Sequence, residues 1–108
     1  MDSLEELKIK IDGFNKERDW DKFHSPANLA KSIVIESSEL LECFQWNDDT
    51  YKVDDVKEEL ADVVNYCIQL ASVLDLDIKQ IVLDKLKKTE EKYPVDKCKG
   101  ISTKYNKL

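Results

Sequence analysis

The run Ile33-Val34-Ile35-Glu36-Ser37-Ser38-Glu39-Leu40-Leu41-Glu42, continuing through Cys43-Phe44-Gln45-Trp46, decides how this chain is read. Leu29, Ile33, Leu40 and Phe44 recur at helical spacing, and at about 100° per residue Glu36 borders their stripe. Leu29 lies at about 20° from it, Leu40 at about 40°, Ile33 at about 60° and Phe44 at about 80°, with Glu39 about 60° to the other side. The run Asp54 to Leu74 repeats the device. With Glu59 at zero, Leu70 falls at about 20°, Val63 at about 40°, and Val56 and Leu74 at about 60°, while Asp62 lies about 60° to the other side. Two consecutive helices therefore each carry an acid-x-x-acid pair along the border of an apolar stripe.

Outward from these two runs the pattern stays helical. Ser25-Pro26 has the form of an N-cap followed by a proline in the first turn, so this helix is expected from about Pro26 to about Trp46. Asn47-Asp48-Asp49-Thr50 then signals a loop. Upstream, Ser3 and Glu6 make a capping box, and Leu4, Leu7, Ile11 and Phe14 define a helix to about Arg18. Downstream, Ile78, Ile81, Val82 and Leu86 define a fourth helix that Tyr93-Pro94 ends. Residues 95 to 108 read as an irregular tail. Four helices with short connections predict an all-α fold, an antiparallel four-helix bundle.

The 108 residues leave room for one domain, 1–108, built on one core. With 42% apolar residues but only two Gly and two Pro, the chain can fill a core yet lacks the punctuation of a small β fold. Its 17 basic and 23 acidic residues give a net charge of −6, which argues against a general basic surface for a nucleic-acid polymer. No run is apolar enough for a membrane span, and Met1-Asp2-Ser3-Leu4-Glu5 is not a signal sequence, so a cytoplasmic location is expected. Cys43, Cys67 and Cys98 suggest neither a disulfide framework nor a zinc knuckle; Cys43 and Cys67 are expected to be buried thiols.

If the two acidic helices pack by their stripes, Glu36, Glu39, Glu59 and Asp62 converge. Unpaired carboxylates brought together repel one another and are costly to desolvate, and divalent cations remove that penalty. An all-oxygen, acid-rich set suits Mg²⁺ or Mn²⁺. The same spacing occurs at Glu39/Glu42 and Asp55/Glu58, where solvated surface explains it, and periodicity alone leaves both readings open. A di-iron site of the ferritin kind requires Glu-x-x-His motifs, whereas His24, the single histidine, lies outside both helices.

Arg18-Asp19-Trp20, Phe23-His24-Ser25-Pro26, Asn28-Leu29, the run Glu36 to Trp46, Glu58-Glu59-Leu60-Ala61-Asp62-Val63, and Lys85 through Tyr93-Pro94 stand in one order along the chain. Together they resemble the MazG-like nucleotide pyrophosphohydrolases, and within them the small dCTP-pyrophosphatase branch, over about residues 4 to 94. The resemblance implies hydrolysis of a nucleoside triphosphate, dCTP or a modified dCTP among the candidates, to a monophosphate and pyrophosphate in nucleotide-pool house-cleaning. It implies Mg²⁺ ligands at Glu36, Glu39, Glu59 and Asp62. It also implies catalytic carboxylates at Glu39 and Glu42, the latter orienting a ligand or accepting a proton. Trp20 and Trp46 would border the base, His24 and Asn28 would orient it or cap the helix, Tyr66 would reach the nucleotide, and Lys85 would meet phosphate or the acids. The family assembles as homodimers or homotetramers. Thr89 stands where the family often has Asn, and Ile11 where the dCTP branch tends to present a polar residue to the base. The alternatives are a dUTP-type or other base-specific pyrophosphatase, or a non-catalytic acidic helical interaction module.

Overall fold

The computed structural model describes residues 1–108 and contains only helices, turns and loops. Five α-helices follow one another: α1 (Ser3–Glu17), α2 (Pro26–Glu42), α3 (Val53–Val73), α4 (Ile78–Lys92) and a single turn, α5 (Val95–Cys98). Two 3₁₀ turns, Asp21–Phe23 and Tyr105–Lys107, complete the chain. No helix is long and apolar enough to cross a membrane.

Local chemistry sets most of the helix ends. Ser25 caps α2 as expected, its Oγ accepting from Asn28 N at 3.1 Å, with Pro26 at the first position. The α1 cap is Asp2 rather than Ser3: its carboxylate accepts from Glu5 N at 2.8 Å. An anionic cap serves the first-turn N–H groups at least as well as a hydroxyl does, which explains the one-residue shift. The second helix stops at Glu42, four residues short of Trp46, and residues 43–46 continue as turns, with the Phe44 ring 4.8 Å from that of Tyr51 in the following loop and tilted 56° to it. Asp19 and Asp75 take the left-handed conformation just beyond α1 and α3, at φ 53° and 54°. Asp tolerates that conformation better than most residues.

The chain divides into two compact units, Met1–Leu76 and Asp77–Leu108. In the first, α3 packs most extensively against α2 and also holds α1. Leu29 and Gln69 line a common cleft, while Glu36 meets Asp62 nearer the opposite ends, so α2 and α3 run antiparallel. The core is small: Leu29, Ile68 and Ala71 are buried, together with the polar Asn15 and Gln69. Ser72 Oγ donates to both Asp12 oxygens at 2.9 Å, and Lys8 Nζ reaches the same carboxylate at 3.1 Å, which fastens α1 to α3. Cys43 and Cys67 are half-buried free thiols rather than fully buried ones, because this thin three-helix layer has little interior to offer.

In the second unit, Asp77 caps α4 by accepting from Gln80 N at 3.0 Å. The residues after α4 are anchored on its C-terminal end, where Tyr105 N donates to Tyr93 Oη at 3.1 Å and Lys92 Nζ lies 4.6 Å from the Tyr105 ring centre. The α4 stripe residues Ile81, Val82 and Leu86 remain about half exposed.

Candidate metal centre and adjoining cleft

Because α2 and α3 are antiparallel and each presents an acid at the border of its apolar stripe, one carboxylate oxygen from each of Glu36, Glu59 and Asp62 lies within 4.8 Å of the others. Glu36 Oε2 and Glu59 Oε2 are buried with no hydrogen-bond partner. A buried, unpartnered carboxylate oxygen is costly, and two that converge are costlier. The Glu36 carboxyl is pushed from 4.5 up to about 7, first by hydrogen bonding with the Glu39 side chain, then by burial, then by repulsion from Glu39, Asp62 and Glu59. Glu59 is raised as well, first by burial, then by Glu39 through hydrogen bonding and repulsion, and further by Asp62 and Glu58. Glu39, exposed on α2, acts on both carboxyls, while the acids that converge within 4.8 Å are Glu36, Glu59 and Asp62.

The donor set fits a divalent cation. All ligand atoms are carboxylate oxygens, two of them lack any other partner, and hard cations bound at about 2.0–2.6 Å bridge oxygens at such separations.

Beside the triad opens a cleft of about 380 Å³ whose wall includes Glu36, Asp62, Trp20, His24 and Tyr66. Trp20 is 44% exposed and stands edge-on to Phe14 at 5.6 Å, while the Arg18 guanidinium lies 3.6 Å over the Phe14 ring and donates to Phe14 O. The tight turn after α1, closed by Trp20 N donating to Asn15 O at 3.0 Å, is what aims Trp20 at this wall. His24 ends the 3₁₀ turn, its N–H held by Asp21 O at 3.1 Å. Tyr66 follows Asp62 by one turn of α3 and so faces the same way. Ile11 lines the cleft as an apolar surface.

Asn28, Glu42 and Trp46 are not among the residues that line this cleft. Asn28 is exposed and its Nδ2 donates to Phe23 O at 3.0 Å, tying the 3₁₀ turn to the first turn of α2. Asn28→Ala is expected to destabilise the protein by about 1 kcal/mol, the typical net value of one hydrogen bond, which urea denaturation would register as a lower midpoint with an unchanged slope. Trp46 is 88% exposed in the turns after α2, and Glu42 is exposed at the last position of α2. Lys85 belongs to α4 in the second unit, and the Thr89 hydroxyl donates to Lys85 O at 3.0 Å.

Four lining residues escaped the sequence reading: Lys10, Asn15, Asn65 and Gln69. Asn15 falls within the apolar stripe of α1, whereas Gln69 and Asn65 lie on the Asp62 side of α3, away from its apolar stripe, where a polar residue gives no signal.

Comparison with known proteins identifies the family. The MazG-like family model matches residues 31–108. Mouse (Mus musculus) dCTP pyrophosphatase 1 is 36% identical over 98% of this chain and 68% of its own length, and the human (Homo sapiens) protein of that name is 34% identical over the same shares. A crystal structure of a pyrophosphatase from Archaeoglobus fulgidus superposes with a TM-score of 0.76 at 39% identity, covering 87% of this chain and 94% of that one. On the family match and on these relatives, the chain belongs to the MazG-like family.

Proposed function

We propose that the chain is a divalent-metal-dependent nucleoside triphosphate pyrophosphohydrolase acting on (d)NTPs, with dCTP or a modified dCTP as the first candidates. The observation that carries this reading is the convergence of Glu36, Glu59 and Asp62 at the edge of an aromatic-walled cleft. It is a hydrolase acting on nucleoside triphosphates, in keeping with the dCTP pyrophosphatase relatives and the archaeal pyrophosphatase. The mouse relative aligns with 98% of this chain, which supports treating 1–108 as one functional domain.

In this reading Glu36, Glu39, Glu59 and Asp62 hold Mg²⁺ or Mn²⁺, whose bound charge offsets that of the phosphate oxygens and acidifies water. The chain's own groups do the rest. Trp20 offers a face to the base, worth roughly 1–3 kcal/mol of stacking, and Tyr66 and His24 bound the nucleoside. A water oxygen bonds to the α-phosphorus, the α–β bridging oxygen leaves with pyrophosphate, and the water's proton passes to a carboxylate, Glu39 or Glu42. Asn28 serves this site through the 3₁₀ turn, whose Phe23 carbonyl it holds next to His24. Val34, Ile35, Leu41 and Trp46 are 57–88% exposed, apolar surface that assembly into a homodimer or homotetramer would cover. In this reading the enzyme serves the cytoplasmic nucleotide pool.

The test gives purified protein Mg²⁺ and a panel of ribo-, deoxyribo- and cytosine-modified triphosphates, and follows pyrophosphate and monophosphate by chromatography. Equimolar release of both from at least one nucleotide is expected. Release of orthophosphate alone, or of nothing, overturns the reading, and a dUTP optimum in place of dCTP reassigns the base.

A further inference from the structure

We propose that Asn65 is a specificity-determining residue that reads an acceptor on the nucleobase edge, held in orientation by a relay of amides through Gln69 to Asn15. This deepens the pyrophosphohydrolase reading and rests on it. Asn15 Nδ2 donates to Gln69 Oε1 at 3.0 Å, and Gln69 Nε2 donates to Asn65 Oδ1 at 2.8 Å. Asn15 is 5% exposed and Gln69 9%, so each would be costly without a partner, and together they link α1 to α3 across the core.

The direction of the two bonds decides the chemistry. Gln69 spends its oxygen on Asn15 and its nitrogen on Asn65, so Asn65 must turn its oxygen inward and its NH₂ outward. All three residues line the same cleft as Trp20 and the acidic edge. Along α3, Asn65 stands about 4.5 Å beyond Asp62 and Gln69 about 10.5 Å beyond it, at 1.5 Å per residue. A nucleotide whose phosphates meet the acids extends its nucleoside along this row. The outward NH₂ offers two donors and no acceptor, so it favours a base edge bearing a ring nitrogen or exocyclic oxygen with a free lone pair. A purely structural amide bridge would need Asn15 and Gln69 alone; the third amide, at the cleft, is the part left over for a ligand.

The experiment measures kcat/KM for the four deoxynucleoside triphosphates and their ribonucleotide counterparts with wild type, Asn65→Leu, Asn65→Asp and Gln69→Leu, with thermal melts to show that each variant is folded. The spread of kcat/KM between best and worst base is expected to shrink roughly tenfold in Asn65→Leu and Gln69→Leu, about what one net hydrogen bond is worth, chiefly through KM. Asn65→Asp, which replaces two donors by an acceptor, should lower the preferred base further still. An unchanged spread in folded variants overturns the proposal, as does a uniform loss across bases with an altered deoxyribose-to-ribose ratio, which would mean a sugar contact. Should wild type release no pyrophosphate from any nucleotide, the activity reading fails separately. Calorimetric binding of the four deoxynucleoside monophosphates then decides the relay, since base-dependent affinity that is lost in Asn65→Leu supports it and equal affinities refute it.

Discussion

Glu59→Gln is expected to lower pyrophosphate release at least about 100-fold while making the metal-free protein melt at a higher temperature than wild type. The two effects have one origin. Glu59 Oε2 is buried without a hydrogen-bond partner and faces Glu36 and Asp62 within 4.8 Å. Burial first, then hydrogen bonding with and repulsion from Glu39, hold its carboxyl above the usual range, so in the metal-free fold its charge is a liability. An amide of the same shape removes that charge and adds donors that can meet Glu36. The activity loss follows because a proposed ligand is removed; outer-shell partners of metal sites already cost roughly 10–100-fold when lost, and a direct ligand costs more. An acid kept only for structure would show neither the stability gain nor the loss of turnover, so retained turnover, or a lower metal-free melting temperature, removes Glu59 from the site.

The acid pairs were legible in the sequence because they sit on helices, where a fixed 100° step turns spacing into direction. Ser25-Pro26 was legible because capping chemistry is local. The Asp2 cap was missed for a local reason too: a capping box starting at Ser3 and an acid one residue earlier compete for the same N–H groups, and the sequence alone does not rank them. The Asn15–Gln69–Asn65 relay was not legible at all, since its first bond joins residues 54 apart in sequence and appears only once α1 lies on α3. Trp46 marks the opposite limit. The loop signal Asn47-Asp48-Asp49-Thr50 suggested a helix running up to it, but the helix stops at Glu42 and the ring is left 88% exposed. Burial depends on what a residue meets, and periodicity does not say what that is.

The stabilisation given by a divalent cation should grow with pH, from slight near pH 5 to large near pH 8. The Glu36 carboxyl has an ordinary value of 4.5 and is raised to about 7 in the fold, and Glu59 moves in the same direction. A carboxyl raised in the folded state takes up its proton more readily there than in the unfolded chain. Its contribution to stability is complete below about 4.5 and is lost as pH climbs through about 7. The metal-free protein should therefore lose melting temperature across that window. Cation binding needs the same carboxylates ionised, so below the window protons compete with the ion and above it the ion replaces them. At an ion concentration 100 times its Kd the gain is about 2.7 kcal/mol, roughly 10 °C or more for a domain of this size. Melting curves at pH 5, 6.5 and 8, with and without 10⁻² M-scale Mg²⁺ (about 10 mM, of the order needed to reach that ratio for a sub-millimolar Kd), read the effect directly. Glu36→Gln serves as the internal control, because it removes the largest raised carboxyl and should flatten both the metal-free decline and the growth of the ion's effect. A metal-free melting temperature that rises from pH 5 to 8 by the same amount in wild type and Glu36→Gln would show that the cluster does not govern this pH range. An ion-induced shift independent of pH would show that the ion binds somewhere other than Glu36, Glu59 and Asp62.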